Sequence, residues 1–143
     1  MSCGSVLAWG DVAGVSATDP SVHVDLDPTP AAPRAARAFL AEHLGALDPD
    51  TAYTAQLCAS ELVTNGVLHA RTPLVLGVTL GNQRVLVTVA DRAAGTPQPP
   101  PPDDERPSGR GLMLVDTLAA QWGVTDAPDG KTVWFTVSKA VPA

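Results

Sequence analysis

Residues 61–70 read E-L-V-T-N-G-V-L-H-A, and this stretch decides the fold of the chain. At about 100° per residue, Glu61, Asn65 and His69 follow one another by roughly one helical turn and share one face. A helix that is apolar around the rest of its circumference is a buried helix. The apolar residues that cover it are Leu57, Cys58, Leu62, Val63, Val67 and Leu68.

A carboxylate and an amide on a buried helix need partners. Burying such groups without a hydrogen bond costs roughly several kcal/mol. The sequence therefore predicts that the stripe of Glu61 and Asn65 faces a ligand or an ion. A water-lined groove is the alternative that this stretch leaves open.

Length and composition predict one globular domain. The chain has 143 residues, of which 45% are hydrophobic and 17% charged. No apolar run approaches the roughly 18 residues of a membrane span, and the N-terminus lacks the layout of a secretory signal, so we expect a cytoplasmic protein. The net charge of −6 argues against general nucleic-acid binding. The two cysteines, Cys3 and Cys58, lack metal-site spacing, and we expect no structural disulfide.

Hydrophobic periodicity predicts an α+β protein. We expect a two-layer sandwich in which three helices cover one face of a mixed, mostly antiparallel sheet of about five strands. Residues 1–20 show no periodicity and are expected to be flexible, and residues 21–143 should form a single domain. The expected elements are a strand over 22–26, a helix between Pro30 and Gly45, a long helix from Asp48-Pro49 to about Ala70, strands over 74–80 and 84–90, a proline-rich loop over 92–109, a helix over 111–120, and strands over 121–126 and 131–138.

Two further segments place polar groups where ligands bind. Asp91 stands where a strand ends and the proline-rich loop begins. At the far end of that loop, Gly109-Arg110-Gly111-Leu112 returns to a helix. The N-terminus of a glycine-flanked helix presents unpaired N–H groups and the positive end of a dipole, which suits phosphate. Taken singly, each segment is equally typical of an ordinary turn or cap.

In this order and spacing, the motifs resemble the ATP-binding domain of the gyrase/histidine-kinase-like superfamily. They read E-L-V-T-N-G-V-L-H-A, then V-A-D, then G-R-G-L-M-L-V-D, then G-K-T-V-W-F, and the resemblance runs from about Val22 to Val137. Within the superfamily the chain most resembles the small anti-sigma-factor serine kinases of actinobacteria. The resemblance implies a Bergerat-type ATP-binding fold with a lid at 92–109, and ATP and Mg²⁺ as cofactors.

The resemblance also implies roles for individual residues. Asn65 corresponds to the Mg²⁺ ligand, and its amide oxygen suits that hard cation. Glu61 corresponds to the general base, and Asp91 to the acceptor of the adenine amino group. Gly95 occupies the adjoining glycine position. Thr132 corresponds to the threonine that supports the aspartate through water.

The phosphates should lie against the second glycine box, formed by Gly109, Arg110, Gly111 and Leu112. His69 lies near them by spacing, although a histidine satisfied at a helix C-terminus is equally natural. The first glycine box departs from the pattern Asp-x-Gly-x-Gly of many relatives. Residues 91–95 read D-R-A-A-G, so Gly95 is the single glycine of this box.

The resemblance implies a Mg-ATP-binding regulator of transcription. We expect an anti-sigma factor with serine/threonine kinase activity toward an anti-anti-sigma partner of the STAS type. The alternative is an ATP-sensing interaction module without catalysis, which the altered first glycine box keeps open. We expect neither nucleic acid nor membrane as a direct partner, and a homodimer remains possible.

Overall fold

The computed structural model describes residue 15 and residues 18–92, 107–127 and 130–139, with the backbone alone at 107–112 and 126–127. Five strands and three helices follow one another in a single layered unit. In chain order these are β1 (Ser21–Leu26), α1 (Ala32–His43), α2 (Pro49–Asn65) with a π-helical turn (Gly66–Ala70), β2 (Leu74–Leu80), β3 (Arg84–Ala90), α3 (Pro107–Leu118), β4 (Gln121–Ala127) and β5 (Gly130–Ser138).

The five strands form one open sheet in the order β1-β2-β3-β5-β4. Every neighbouring pair is antiparallel. The α+β fold and the strand count are confirmed, but the prediction of a mixed sheet is wrong for the part of the chain that the structure describes. The reason is that the two hairpins, β2–β3 and β4–β5, join through β3 and β5, which run in opposite directions.

Side chains alternate along each strand, so the sheet has two apolar faces. On one face Leu76, Val87 and Phe135 join the helices in the main core. On the other face Leu86 and Trp134 pack against Val15, which lies in the segment predicted to be flexible. The remainder of residues 1–17 lies outside the described residues. The helices therefore cover one face, and the N-terminal segment contributes at least one residue to the other.

Helix α2 is the centre of the helical layer. It packs against α1, α3, β3 and β5. Asp48 caps it as predicted, because its Oδ2 accepts a hydrogen bond from Thr51 N at 3.0 Å and Pro49 follows at the first helical position. Cys58 and Val63 are fully buried in the core. No helix in the described ranges is both long and apolar enough to cross a bilayer.

One boundary and the burial of one residue differ from the prediction. Helix α3 begins at Pro107 rather than at Gly111, so residues 107–109 belong to the helix and not to the predicted loop. Proline suits this place, because the first turn of a helix does not need its missing N–H. Near the end of the long helix, Leu68 is 45% exposed although it was expected to be buried. The strands β2 and β3 have the predicted bounds.

Candidate functional site

The carboxyl-terminal end of α2 holds a polar atom without a partner. Glu61 and Asn65 are both partly buried on this last stretch of regular α-helix. The side-chain Oδ1 of Asn65 is buried, and it accepts no hydrogen bond from the residues that the structure describes. An unsatisfied buried acceptor costs about 1–3 kcal/mol, so a persistent one calls for an explanation such as a ligand or an ion.

The helix changes geometry immediately after Asn65. The π-helical turn ends where Arg71 N donates to Gly66 O at 3.2 Å, and Arg71 has a positive φ of 58°. A Cβ at Gly66 would lie 2.9 Å from the methyl groups of Leu74, so a larger residue there would require the Leu74 side chain to shift. Because a π-helical turn is wider than an α-helical turn, His69 does not lie one regular turn beyond Asn65 as predicted. The His69 side chain is exposed. Turns of this kind occur frequently at functional sites.

Asp91 continues β3 and is held from both its backbone and its side chain. Its N donates to Lys131 O at 2.9 Å. Its carboxylate, with the side chain only 7% exposed, accepts from Lys131 N at 3.3 Å through Oδ1. The Lys131 Nζ lies 3.7 Å from Oδ2 and forms an ion pair with it. The carboxylate is therefore fixed in position as well as buried.

Gly130 makes this arrangement possible. Its φ is +154°, and a Cβ there would overlap the carbonyl oxygen of Asp91. The start of β5 can approach the end of β3 this closely only with glycine at that position. The carboxylate position of Asp91 therefore depends on a backbone contact between two strands.

Lys131 is a site residue that the sequence analysis missed. The regular register of β3 and β5 continues from Ala90 opposite Thr132 to Asp91 beside Lys131. Alternation along β5 then sets Thr132 on the opposite face from Lys131, the face that also carries Trp134. Lys131 is thus the residue that pairs with the Asp91 carboxylate in this structure, and the role of Thr132 stays a prediction.

The loop after the π-helical turn joins these two places. Arg92 N donates to the Thr72 side-chain oxygen at 3.0 Å. Leu74, which touches Gly66, begins the strand that pairs with β3. Asn65 and Asp91 therefore lie toward the same end of the sheet, where β2 and β5 begin and β3 ends. We call this the site end.

Helix α3 points its amino-terminal half toward the site end. Its last residue is Leu118. This residue and the following Ala119 line a cavity of about 320 Å³ together with Asp48 and Thr51 at the start of α2. Since α3 packs along α2, the two helices run in opposite directions. The second glycine box lies in this half of α3, with Gly109 in the first turn, where N–H groups have no helical partner. Arg110, Gly111 and Leu112 follow within the helix, and Gly95 lies outside the described residues.

The neighbouring thiol does not compete with Glu61 as a reactive group. Burial, together with the nearby charge of Glu61, raises the pKa of the Cys58 thiol to about 11. A thiol with this pKa stays protonated near neutral pH and is a poor nucleophile. Glu61 is therefore the group on this part of α2 that can act as a base.

The oxygen donors at the site end fit a magnesium ion that takes most of its coordination from water and from the phosphates of a bound molecule. Within the described ranges, no cluster of three His, Cys, Asp or Glu side chains could hold a metal by itself. Mg²⁺ usually keeps several waters and takes one or two protein oxygens together with the phosphates of a substrate. The unpartnered Oδ1 of Asn65 offers one such oxygen.

Comparison with known proteins agrees with this architecture. The family model described as the histidine kinase-like ATPase domain matches residues 26–137. Among solved structures, the histidine kinase domain from the blue-light activated histidine kinase of Erythrobacter litoralis EL346 is similar in fold, with a TM-score of 0.50 and 22% sequence identity over 86% of this chain and 70% of that chain. A search of curated proteins found no match. The matched range includes α2, Asp91, α3 and nearly all of β5.

Proposed function

Because this chain belongs to the histidine kinase-like ATPase domain family, we propose that it binds Mg-ATP at the site end and is an anti-sigma factor with serine kinase activity. Its phosphorylation substrate would be an anti-anti-sigma partner of the STAS type. The chain would hold its sigma factor when that partner is phosphorylated and release it when the partner is not. ATP binding follows from the family, and the regulatory role is our extension of it.

The observation that carries the proposal is the buried oxygen of Asn65. A metal ion at this oxygen would satisfy an acceptor that the described part of the chain leaves unpaired. The ion would supply charge neutralisation at the phosphates of the nucleotide. The first turn of α3, which includes Gly109, points its unpaired N–H groups toward the same end. The chain has a net charge of −6, which repels a triphosphate. The cation and the helix terminus would offset this repulsion locally, at the phosphates.

Asp91 would bind the adenine ring. An ionised carboxylate accepts hydrogen bonds and donates none, and the buried Asp91 side chain carries such a group. The amino group of adenine is a hydrogen-bond donor. A carboxylate has about four lone-pair sites, so Asp91 can accept from a ligand as well as from Lys131. This contact favours adenine over guanine, which carries a carbonyl acceptor at the corresponding position.

Glu61 would act as the general base. It lies one helical turn before Asn65, and therefore one turn from the proposed metal. In phosphoryl transfer a carboxylate in this role accepts the proton of the serine hydroxyl while the serine oxygen bonds to the γ-phosphorus and ADP leaves. Positioning and charge stabilisation account for most of the catalysis in such reactions, so few reactive side chains are required.

Calorimetric titration of the wild-type chain with ATP and with GTP, each with and without Mg²⁺, tests the nucleotide site. We expect binding of ATP that is stronger with Mg²⁺ and a clear preference for ATP over GTP. The preference should be lost in Asp91→Ala. Wild-type chain that ignores adenine nucleotides at millimolar concentration would remove the basis of the proposal.

A second candidate is an ATP-sensing interaction module without catalysis. The observation that favours it is the first glycine box, in which residues 91–95 carry Gly95 as the single glycine. Incubation with labelled ATP and candidate STAS proteins separates the two functions. Label on a serine of the partner supports the kinase, whereas tight ATP binding without transfer supports the sensor.

A further inference from the structure

We propose that Lys131 is an adenine-specificity residue whose ammonium group donates a hydrogen bond to N1 of the adenine ring. Asp91 accepts from the amino group beside it. This inference rests on the proposed function, because it adds a contact to the same nucleotide site. Lys131 would recognise N1 of adenine, an acceptor to which the ionised Asp91 carboxylate cannot donate a hydrogen bond.

The structure places a donor and an acceptor side by side. The Lys131 Nζ lies 3.7 Å from the Asp91 Oδ2, which is longer than a hydrogen bond, so the pair is held by charge rather than by a shared proton. The Asp91 side chain is 7% exposed, and that of Lys131 is 35% exposed. The carboxylate therefore forms the buried part of the pair, and the ammonium reaches toward solvent.

The backbone fixes the spacing of this pair. Asp91 N donates to Lys131 O at 2.9 Å, and Lys131 N donates to Asp91 Oδ1 at 3.3 Å. The close approach at Gly130 excludes any larger residue there. Both side chains therefore start from a rigid two-strand frame, which is the arrangement that a specific contact requires.

The pair is complementary to the edge of adenine. That edge carries a ring nitrogen acceptor, N1, next to the amino donor at C6. Asp91 can accept from the amino group but cannot donate to N1, whereas the lysine ammonium has three donors and no acceptor. Guanine has the reverse pattern, a donor at N1 and a carbonyl at C6. In the same orientation, the N1–H donor of guanine would face the lysine ammonium, which is also a donor, and its C6 carbonyl would face the Asp91 carboxylate, which is also an acceptor.

The remaining polar residues close to Asp91 are less suited to this contact. Thr132 lies on the opposite face of β5. Arg92 is exposed, and its backbone N–H is bonded to Thr72. Lys131 is thus the cation that the structure sets directly against the carboxylate.

The test compares two ligands on the wild type and on three variants. ATP and 1-deaza-ATP, in which a C–H replaces N1, are titrated with Mg²⁺ into the wild type, Lys131→Met and Lys139→Met, and binding is followed by calorimetry. Lys139 is the matched control because it is the second of the chain's two lysines and bonds to Gln83 through its backbone. Thermal melting of each variant confirms that it is folded, and Lys131→Thr serves as a second variant at the same position.

We expect the wild type to bind 1-deaza-ATP about tenfold or more weakly than ATP, as for loss of a hydrogen bond to a charged group. Lys139→Met should keep this ratio, and Lys131→Met and Lys131→Thr should bring it close to one. An unchanged ratio in both Lys131 variants overturns the inference, as does a wild type that binds the two ligands equally. Those results leave ATP binding intact, whereas a wild type that binds neither ligand overturns the proposed function itself.

Discussion

The two ends of helix α2 satisfy their polar groups in opposite ways. At the amino-terminal end, Asp48 accepts hydrogen bonds from both the N–H and the hydroxyl of Thr51, at 3.0 and 2.6 Å. Thr51 also reaches the carbonyl of Ser138 at 3.4 Å. At the carboxyl-terminal end, the Asn65 oxygen is buried and finds no such partner within residues 18–92, 107–127 and 130–139, and the regular helix gives way to a π-helical turn.

This difference separates polar groups that stabilise the fold from polar groups that can bind a ligand. Hydrogen bonds within the chain raise the free energy of unfolding, whereas a buried acceptor without a hydrogen bond lowers it. The backbone at the site end is irregular as well, since Arg71 has a positive φ and Gly66 touches β2. The following substitutions test whether the amino-terminal end of α2 contributes mainly to stability and the carboxyl-terminal end mainly to ligand binding.

The largest effect should come from Glu61→Ala, near the carboxyl-terminal end of α2. Loss of a positioned general base lowers a reaction rate by about 10²–10⁴-fold. We expect phosphoryl transfer to a STAS partner to fall by this amount while ATP affinity stays within a few-fold of the wild type. Glu61→Gln, which keeps the shape without the base, should behave in the same way. Full transfer activity in either variant would show that another group is the base.

Asn65→Ala should separate binding from stability most clearly. The Mg²⁺-dependent part of ATP affinity should fall by about 10–100-fold, as with other losses at metal sites. The free energy of unfolding should change by less than about 1 kcal/mol, because the oxygen that is removed accepts no hydrogen bond from any described residue. Calorimetry and chemical denaturation measure the two quantities. Asn65→Asp, which retains an oxygen ligand, should keep most of the Mg²⁺ dependence, and a large loss of stability in Asn65→Ala would contradict the comparison.

Gly130→Ala tests whether the site end depends on close backbone contact. The variant should lose about 1–3 kcal/mol of stability, because alanine is strained at a φ of +154° and its Cβ would overlap Asp91. Gly45→Ala is the control from the loop before Asp48. A Cβ there would meet Ala41 O at 3.4 Å, an ordinary contact, so this variant should be close to neutral in urea denaturation. Equal losses in the two variants would exclude a special role for Gly130.

The smallest effect is expected at the amino-terminal end. Asp48→Ala removes the helix cap and should lower the free energy of unfolding by about 0.5–2 kcal/mol. Nucleotide affinity should not change, because Asp48 lies at the end of α2 opposite to the site end. Asp50→Ala removes an equal charge from the first turn, where it does not serve as the cap, and should have a smaller effect. Weaker ATP binding in Asp48→Ala would show that the two ends are coupled.

The elements that were predicted correctly depend on residues close together in the chain. The Asp48-Pro49 start of α2 and the bounds of β2 and β3 follow from local caps and from alternation. The start of α3 was placed too late because Pro107 was read as part of the proline-rich loop. The π-helical turn was missed, since no local pattern in residues 66–70 distinguishes it from an α-helix.

Asn65 and Asp91 could be identified from the sequence because their motifs are short and contiguous. Lys131 could not, although it is the neighbour of Thr132, to which the family motif points. Which of the two reaches Asp91 depends on strand register, and a shift by one residue turns every side chain to the other face.

The amino-acid sequence by itself determined the local elements, the buried α2 helix and the family to which its motifs belong. Patterns of three to four residues carry that information, because helix periodicity, caps and strand alternation are short-range properties. Only the tertiary structure decided that Lys131 pairs with Asp91 and that the oxygen of Asn65 is buried without a partner among the described residues. Both facts depend on which residues distant in the chain come into contact. The register of β3 and β5 determines the first, and the packing around α2 determines the second.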